Sequence, residues 1–299
     1  MTEPSHSRRY LLNGINRDAP RPEPGLYLVA TPIGHLSDMS LRGLDLIAGA
    51  DVLACEDTRV TGKLLQRFGI KRRMTAYHEH SGEDVARMLV EDIAAGGSLA
   101  LVSDAGTPLV SDPGYALVRT AIEAGVPVIA VPGASAILTA LAVSGLPSDA
   151  FFFAGFLPAK EKARADRLQA LVRVPGTLIF YEAPHRIAES LVAMGEPFGE
   201  RPAAVCRELT KMHETVYRGT VHELSKRFGE MDQVKGEIVV CIGPPGEDAP
   251  PAEEDVETIL IGLLAEMKPT KAAQEAARMT GLNRRDLYSR ALDLKGRLP

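Results

Sequence analysis

The sequence predicts an α/β protein of two lobes followed by a small helical element, and three features of its 299 residues carry that expectation. Short β-branched runs alternate with longer amphipathic stretches from residue 25 to 131, the pattern of a mostly parallel sheet with helices on its faces. GLPSDAFFFAG, residues 145–155, interrupts that pattern with Gly, Pro and a compact aromatic cluster, and a second alternating block follows. Beyond it, an acidic and Pro-rich segment precedes a last stretch of helical patterning. The expected divisions are a disordered arm (1–24), two α/β lobes (25–145 and 146–243), a linker (244–255) and a helical domain (256–299).

The arm is polar, Pro-rich and holds four arginines, with too little apolar surface to offset the entropy of ordering it. In the first lobe LYLVA, DVLAC, SLALV and VPVIAVP read as strands, and residues 41–50, 58–68 and 83–95 as amphipathic helices. TLIFY, AAVCREL, ETVYRGT and EIVVCIG supply strands of the second lobe. PPGEDAPP at 244–251 reads as linker, and residues 247–266 carry seven acidic side chains and no basic one. In the tail, PTKAAQEAARMTGLNRRDLYSRALDL reads as a helix, a Thr-Gly-Leu turn and a second helix opened by Asn283. Helix-turn-helix units share that spacing with ordinary helical hairpins.

Composition narrows the function classes. A net charge of −5 disfavours nonspecific coating of nucleic acid, which draws its affinity from counterion release. Local patches are another matter: residues 56–73 hold six basic side chains (Arg59, Lys63, Arg67, Lys71, Arg72, Arg73) against Glu56 and Asp57, and residues 268–297 hold eight against three. Such runs are also the ordinary solvated faces of helices. Cys55, Cys206 and Cys241 are scattered singly, without the spacing of a zinc site or a disulfide framework, so no metal is expected. No apolar run reaches the roughly 20 residues of a membrane helix, and no signal-peptide core opens the chain, so a cytoplasmic location with no membrane partner is expected.

Candidate chemistry gathers where strands end, as ligands do in open α/β sheets. ATPIGH (30–35) follows the first strand, where Gly34 can take a positive φ and Pro32 stiffens the loop. SDAGTPLVSDPG (103–114) packs two Asp, two Gly, two Pro and small hydroxyl residues into twelve positions, and its Asp104 can orient ligand amino or hydroxyl groups. VPGASAI (131–137) opens a helix with small residues that leave its first N–H groups free. No G-x-G-x-x-G follows a strand and no Walker A sequence is present, which demotes dinucleotide and nucleoside triphosphate enzymes.

The ordered set ATPIGHLSDMSLR, ACEDTR, SDAGTP with SDPG, PGASA, GFLP, FYEAPHR, RELTK and KGE resembles the tetrapyrrole-methylase-like superfamily, in the branch called ribosomal RNA small subunit methyltransferase I, over residues 25–243. The resemblance implies two αβα lobes, a homodimer, and S-adenosylmethionine in the inter-lobe cleft. It further implies 2′-O-methylation of a cytidine ribose in the decoding region of 16S ribosomal RNA in the small subunit. Cofactor contacts would then fall at Pro32, Asp104, Ala105, Gly106, Thr107, Val110, Ser135 and Ala136, and in the second lobe at Tyr181, Glu182, Leu209 and Glu237. Tetrapyrrole methylases place Gly-Asp-Pro where this chain has Gly106, Thr107 and Pro108, a departure from the porphyrin-precursor enzymes.

Methyl transfer to a ribose oxygen requires in-line positioning and removal of a proton. Lys211, Glu208, Glu182 and His185 are the candidates: Lys211 if burial beside a sulfonium depresses its pKa, the others directly. Glu208 with Lys211 could equally be a local ion pair, and His185 with Arg186 could simply open a helix after Pro184. Arg59 and Arg186 are candidate RNA contacts, although Glu56, Asp57 and Arg59 also fit a helix-capping cluster. Three functions stand side by side: RNA ribose methylation, carbon methylation of a tetrapyrrole precursor, and a noncatalytic ribosome-associated factor.

Overall fold

The computed structural model describes residues 8–78, 81–246, 253–280 and 282–296. It opens with an antiparallel hairpin of β1 (Arg9–Leu12) and β2 (Ile15–Asp18), so the arm expected to be disordered is folded from residue 8 onward. Asn13 and Gly14 both take positive φ (51° and 79°), the turn geometry that favours Asn-Gly in two-residue hairpins. Tyr10 is buried and its hydroxyl donates to Asp45 at 2.9 Å, the Leu11 N–H donates to the Phe68 carbonyl at 2.7 Å, and Arg8 pairs with Asp51 at 2.8 Å. Composition alone concealed these anchors.

The first lobe runs β3 (Gly25–Val29), α1 (Leu41–Gly49), β4 (Val52–Cys55), α2 (Thr58–Arg67), β5 (Thr75–Ala76), α3 (Glu83–Ala94), β6 (Ser98–Val102), α4 (Tyr115–Glu123), β7 (Val128–Val131) and α5 (Ala136–Ser144). Its five strands are all parallel, in the order β5-β4-β6-β3-β7. Strand residues alternate between two cores, as a sheet covered on both faces requires. Tyr27, Val29, Ala100 and Val102 pack with α1 and α2, whereas Leu26, Leu99 and Leu101 pack with α3 and α4.

The second lobe contains β8 (Phe151–Phe156), α6 (Glu161–Leu171), β9 (Thr177–Glu182), α7 (Ile187–Phe198), β10 (Pro202–Arg207), β11 (Thr215–Thr220), α8 (Val221–Gly229) and β12 (Ile238–Ile242). This sheet is mixed, in the order β11-β10-β12-β9-β8, with only β8 and β9 parallel. Leu178, Phe180, Val205 and Val240 face the core under α6, α7 and α8; the alternate residues Ile179, Cys206, Val239 and Cys241 face the other lobe. There they meet Ile33 and the α5 residues Ile137, Ala140 and Leu141. Helix α5 therefore follows the first sheet in sequence but is bedded on the second. Arg218 of β11 fastens its end, donating to the carbonyls of Ser144 (3.1 Å) and Val143.

The tail folds as α9 (Glu253–Glu266), α10 (Pro269–Thr280) and α11 (Arg284–Lys295) around Val256, Leu260, Ala273, Ala276, Leu287, Ala291 and Leu294. Asn283 caps α11, its side chain accepting from the Arg285 N–H at 2.8 Å. Half of the expected linker, residues 247–252, lies outside the described residues, and α9 begins three positions before the expected domain edge. Among the described residues no helix is long and apolar enough to cross a membrane.

Candidate functional site

Strands β6, β3 and β7 are neighbours, so the three loops singled out in the sequence leave their carboxyl ends side by side. Thr31 and Gly106 exchange two backbone hydrogen bonds (2.8 and 3.0 Å), the Thr31 hydroxyl donates to the Ser103 carbonyl (3.2 Å), and the Thr107 hydroxyl donates to Ala134 (3.3 Å). Leu109 and Ser111 hold positive φ values of 74° and 64°, a conformation costly for side chains of their kind and kept only where surroundings impose it.

Two loops of the second lobe face them. Glu208 and Thr210, in RELTK, also take positive φ (54° and 63°), and Gly236 leaves the room that the Glu208 side chain fills. Gly34 does not need the positive φ expected of it. Its requirement is closeness: a Cβ there would lie 2.5 Å from Lys211 Cγ and 2.7 Å from Thr210 Oγ1, and the next N–H, of His35, donates to Thr210 Oγ1 at 3.0 Å.

Between the lobes lies a cavity of about 330 Å³, at the lower end of the volumes typical of small-molecule sites. Ten of the twelve expected cofactor contacts line it: Ala105, Gly106, Thr107, Val110, Ser135, Ala136, Tyr181, Glu182, Leu209 and Glu237. Pro32 and Asp104 do not. Their neighbours Ile33 and Ala105 reach the cavity, while Asp104 accepts from the Asp57 N–H at 3.1 Å and so braces the start of α2. Phe153 and Phe156 flank the Tyr181 ring edge-on, with centroids 4.9 and 5.5 Å away, and make an aromatic wall. At the first turn of α5, Ser135 caps the helix and the free N–H groups give the cavity a partial positive charge suited to a carboxylate.

The candidate proton acceptors fare differently. Glu182 contributes its backbone to the cavity, but its carboxylate is fully buried elsewhere, accepting from Ser190 Oγ (2.5 Å) and the Ala183 N–H (2.8 Å) with Arg186 at 3.6 Å. There it braces the start of α7 and is turned away from the cavity. His185 is exposed and outside the cavity lining. Arg186 donates to the carbonyls of Leu157 (2.9 Å) and Pro158 (3.2 Å), which commits it to the end of β8 rather than to RNA. Lys211 bridges Glu208 (2.9 Å) and Glu237 (3.2 Å). Burial pulls its pKa down, yet the two carboxylates outweigh burial and the net shift is upward, the opposite of what a lysine base needs. Glu208, hydrogen-bonded by Lys211 and by the Glu237 N–H, is held below the usual carboxylate range. Asp57 caps α2, accepting from the Arg59 N–H at 2.8 Å, and the Arg59 guanidinium folds onto it while staying exposed.

One lining residue went unremarked in the sequence. Asp112, inside the SDPG turn, is pushed up to about 6 by burial, with Glu56 and Asp104 adding repulsion against a hydrogen bond from Ser103. Tyr181 rises to about 12 through burial and the charges of Asp112 and Glu237. Asp112 is thus a half-buried carboxylate poised near neutrality, and its place in a Gly/Pro turn motif concealed it. Among the described residues no group of three or more His, Cys, Asp or Glu side chains is arranged to hold a metal ion.

Residues 25–225 match the family model described as Tetrapyrrole (Corrin/Porphyrin) Methylases, and residues 250–295 match the RsmI C-terminal HTH domain. The latter favours the helix-turn-helix reading of the tail over a plain hairpin. The ribosomal RNA small subunit methyltransferase I of Mesorhizobium japonicum is 56% identical over 91% of this chain and 93% of its own length. The protein of the same name from Vibrio cholerae is 46% identical over 94% and 99%, and that from Escherichia coli O157:H7 43% identical over 91% and 96%. Among solved structures, a diphthine synthase superposes with a TM-score of 0.57 at 18% identity, covering 73% of this chain and 89% of its own. The methyltransferase CobJ gives 0.54 at 19%, covering 74% and 94%. Those likenesses establish the two-sheet fold, and the identities across nearly the whole length establish more: the chain belongs to the ribosomal RNA small subunit methyltransferase I family of the tetrapyrrole methylases.

Proposed function

We propose that this protein methylates ribosomal RNA of the small subunit with S-adenosylmethionine, at the 2′-oxygen of a cytidine ribose in the decoding region. The observation that carries the reading is the inter-lobe cavity, built largely within the stretch that the family model matches and lined by ten expected cofactor contacts. Its parts suit the cofactor: apolar Ile33, Val110 and Leu209 beside the Tyr181 wall for a flat heterocycle, backbone groups of residues 105–107 for hydroxyl and amino groups, and the start of α5 for a carboxylate. A relative of the same fold, the uroporphyrin-III C-methyltransferase of Thermus thermophilus, has been solved with S-adenosyl homocysteine.

Bound S-adenosylmethionine supplies a methyl group already activated by its sulfonium, so the chain's residues have chiefly to position the ribose oxygen and take its proton. Among the described residues, Asp112 is the lining carboxylate with no ion pair, and its pKa raised to about 6 fits it to receive that proton at its carboxylate oxygen. Lys211 lies outside the cavity lining but is paired with the lining residue Glu237, and in this reading its retained charge orients a ribose hydroxyl or an adjacent phosphate. In the tail, Arg284, Arg285 and Tyr288 are exposed at the start of α11, the end with which second helices of such units read nucleic acid.

A homodimer forms part of the proposal. β7 and β8 are unpaired sheet edges, and Tyr115, Leu138, Phe151, Phe152 and Phe156 are exposed apolar side chains on or near these elements. Light scattering on the purified protein reads the mass directly. A ribosomal RNA substrate is met in the cytoplasm, which is the location this reading carries. The decisive experiment incubates the protein and methyl-labelled S-adenosylmethionine with small subunits and with naked 16S RNA, then maps the label by nuclease digestion and mass spectrometry. Label on a single cytidine ribose is the expected result; absence of S-adenosylmethionine binding would overturn the reading.

A further inference from the structure

Helix α2 departs from the carboxyl end of β4 and is tied to the cavity loop by the hydrogen bond from the Asp57 N–H to Asp104. One of its faces is buried through Thr61 and Leu65; the opposite face presents Arg59, Lys63 and Arg67 at a spacing of four residues. Four residues rise about 6 Å along a helix, so the three cations stand in a row about 12 Å long, at intervals comparable to successive phosphates of a nucleic-acid strand. Past α2, Lys71 and Arg73 are exposed and extend the row toward β5.

Arg72 is the exception that separates structure from surface in this run. Its guanidinium is turned inward, donating to the carbonyls of Ile47 and of Asp51 (3.3 Å), and burial lowers its pKa to about 10. No carboxylate among the described residues pairs with Lys63, Arg67, Lys71 or Arg73, and α2 itself contains no acidic residue. The helix that carries the line starts beside the loop whose Ala105, Gly106 and Thr107 line the cavity.

We infer that the exposed face of α2 and the segment after it, Lys63, Arg67, Lys71 and Arg73, form a track for the phosphate backbone of the substrate RNA flanking the methylated nucleotide, with Arg59 at its head engaged by Asp57. The inference rests on the RNA-methylating function proposed above. Contacts of this kind carry no sequence information; they set register and hold the strand so that one nucleotide reaches the cavity. Each phosphate neutralised adds to the salt dependence of binding, by about 0.7 in the log–log slope for a single strand.

The test uses the full chain and a K63Q/R67Q double variant, with K162Q/R167Q on α6 of the other lobe as a control for equal loss of charge. Affinities for a fragment of 16S RNA and for small subunits are measured across a salt series, and S-adenosylmethionine affinity by calorimetry. The expected result is unchanged S-adenosylmethionine affinity, RNA binding weaker by about tenfold and a salt slope shallower by about 1.4 in K63Q/R67Q, with the control near wild type. Equal RNA affinity and slope in wild type and K63Q/R67Q would overturn the track while leaving the proposed function standing. An equal loss in the control would reduce the effect to overall charge and overturn it too. Weakened binding to subunits with unchanged binding to naked RNA would assign this face to a protein partner. A wild-type protein that binds neither RNA nor subunits would overturn both readings.

Discussion

Asp112→Asn is the substitution whose consequence can be worked furthest. Burial raises this carboxyl from its ordinary 3.8 to about 6, with Glu56 and Asp104 adding repulsion. Below pH 3.8 the group is protonated in folded and unfolded chains alike and costs nothing. As pH rises from about 4 through 6, the unfolded chain releases the proton while the folded one retains it, so stability is lost across that window. This is the reverse of a salt-bridged carboxylate. Roughly two pKa units at 1.36 kcal/mol each give about 3 kcal/mol, and the open side of the cavity halves this to about 1.5 kcal/mol. Asparagine keeps the shape and never ionises. About two thirds of that loss falls between pH 4.5 and pH 8, so urea denaturation of wild type and D112N at these two pH values should show a difference that grows with pH, the variant gaining about 1 kcal/mol at pH 8 relative to its standing at pH 4.5. Turnover should fall in the same variant while S-adenosylmethionine binding persists. A stability difference that is constant with pH, or that shrinks toward pH 8, would refute the reasoning about this carboxyl.

Four further outcomes are expected. Gly34→Ala places a methyl group 2.5 Å from Lys211 Cγ and 3.0 Å from the Leu209 carbonyl, forcing the two lobes' loops apart at a cost of about 1–3 kcal/mol; thermal unfolding reads it, and an unchanged Tm would contradict the close approach. Glu182→Gln weakens buried charged hydrogen bonds to Ser190 and Ala183, so it should lower stability by about 1.5–3 kcal/mol yet leave the pH profile of turnover unmoved, whereas a catalytic base would shift that profile. Lys211→Ala should preserve cofactor affinity in calorimetry and lower turnover by about tenfold or more, since it removes a charged donor at the cavity edge. Ser135→Trp fills the cavity beside α5 and should abolish S-adenosylmethionine binding while circular dichroism stays native.

The parts of this molecule that were legible in the sequence are those governed by local rules. The apolar runs TLIFY and EIVVCIG read as strands and are strands, and because strand side chains alternate, Leu178, Phe180 and Val240 face one core and Ile179, Val239 and Cys241 the other. Small residues and prolines after β3, β6 and β7 marked the cavity loops, because only such residues permit tight turns and close approach. What stayed hidden depends on partners distant in the chain. The acceptor role of Glu182 was decided by Ser190 and Arg186 drawing it inward, and the charge of Lys211 by Glu237, which lies across the fold. Asp112 reads as an ordinary turn residue until Glu56 and Asp104 are brought beside it. The hairpin of β1 and β2 is a different case: Asn13-Gly14 announces it locally, inside a segment whose overall polarity reads as disorder.

Helix α5 gives the cleft its mechanical character. Issuing from β7 of one sheet and seated on β10 and β12 of the other, it works as a dowel driven through the seam between lobes. A rocking motion that widened the seam would have to pull Ile137, Ala140 and Leu141 off Ala204, Val239 and Cys241, opening a void in a dry apolar layer. The rim is pinned as well: in the Glu208–Thr210 bend, Glu208 is held by Lys211 and the Glu237 N–H, and Thr210 by the His35 N–H and Glu214. The cleft is accordingly bounded by two lobes fastened together along its floor.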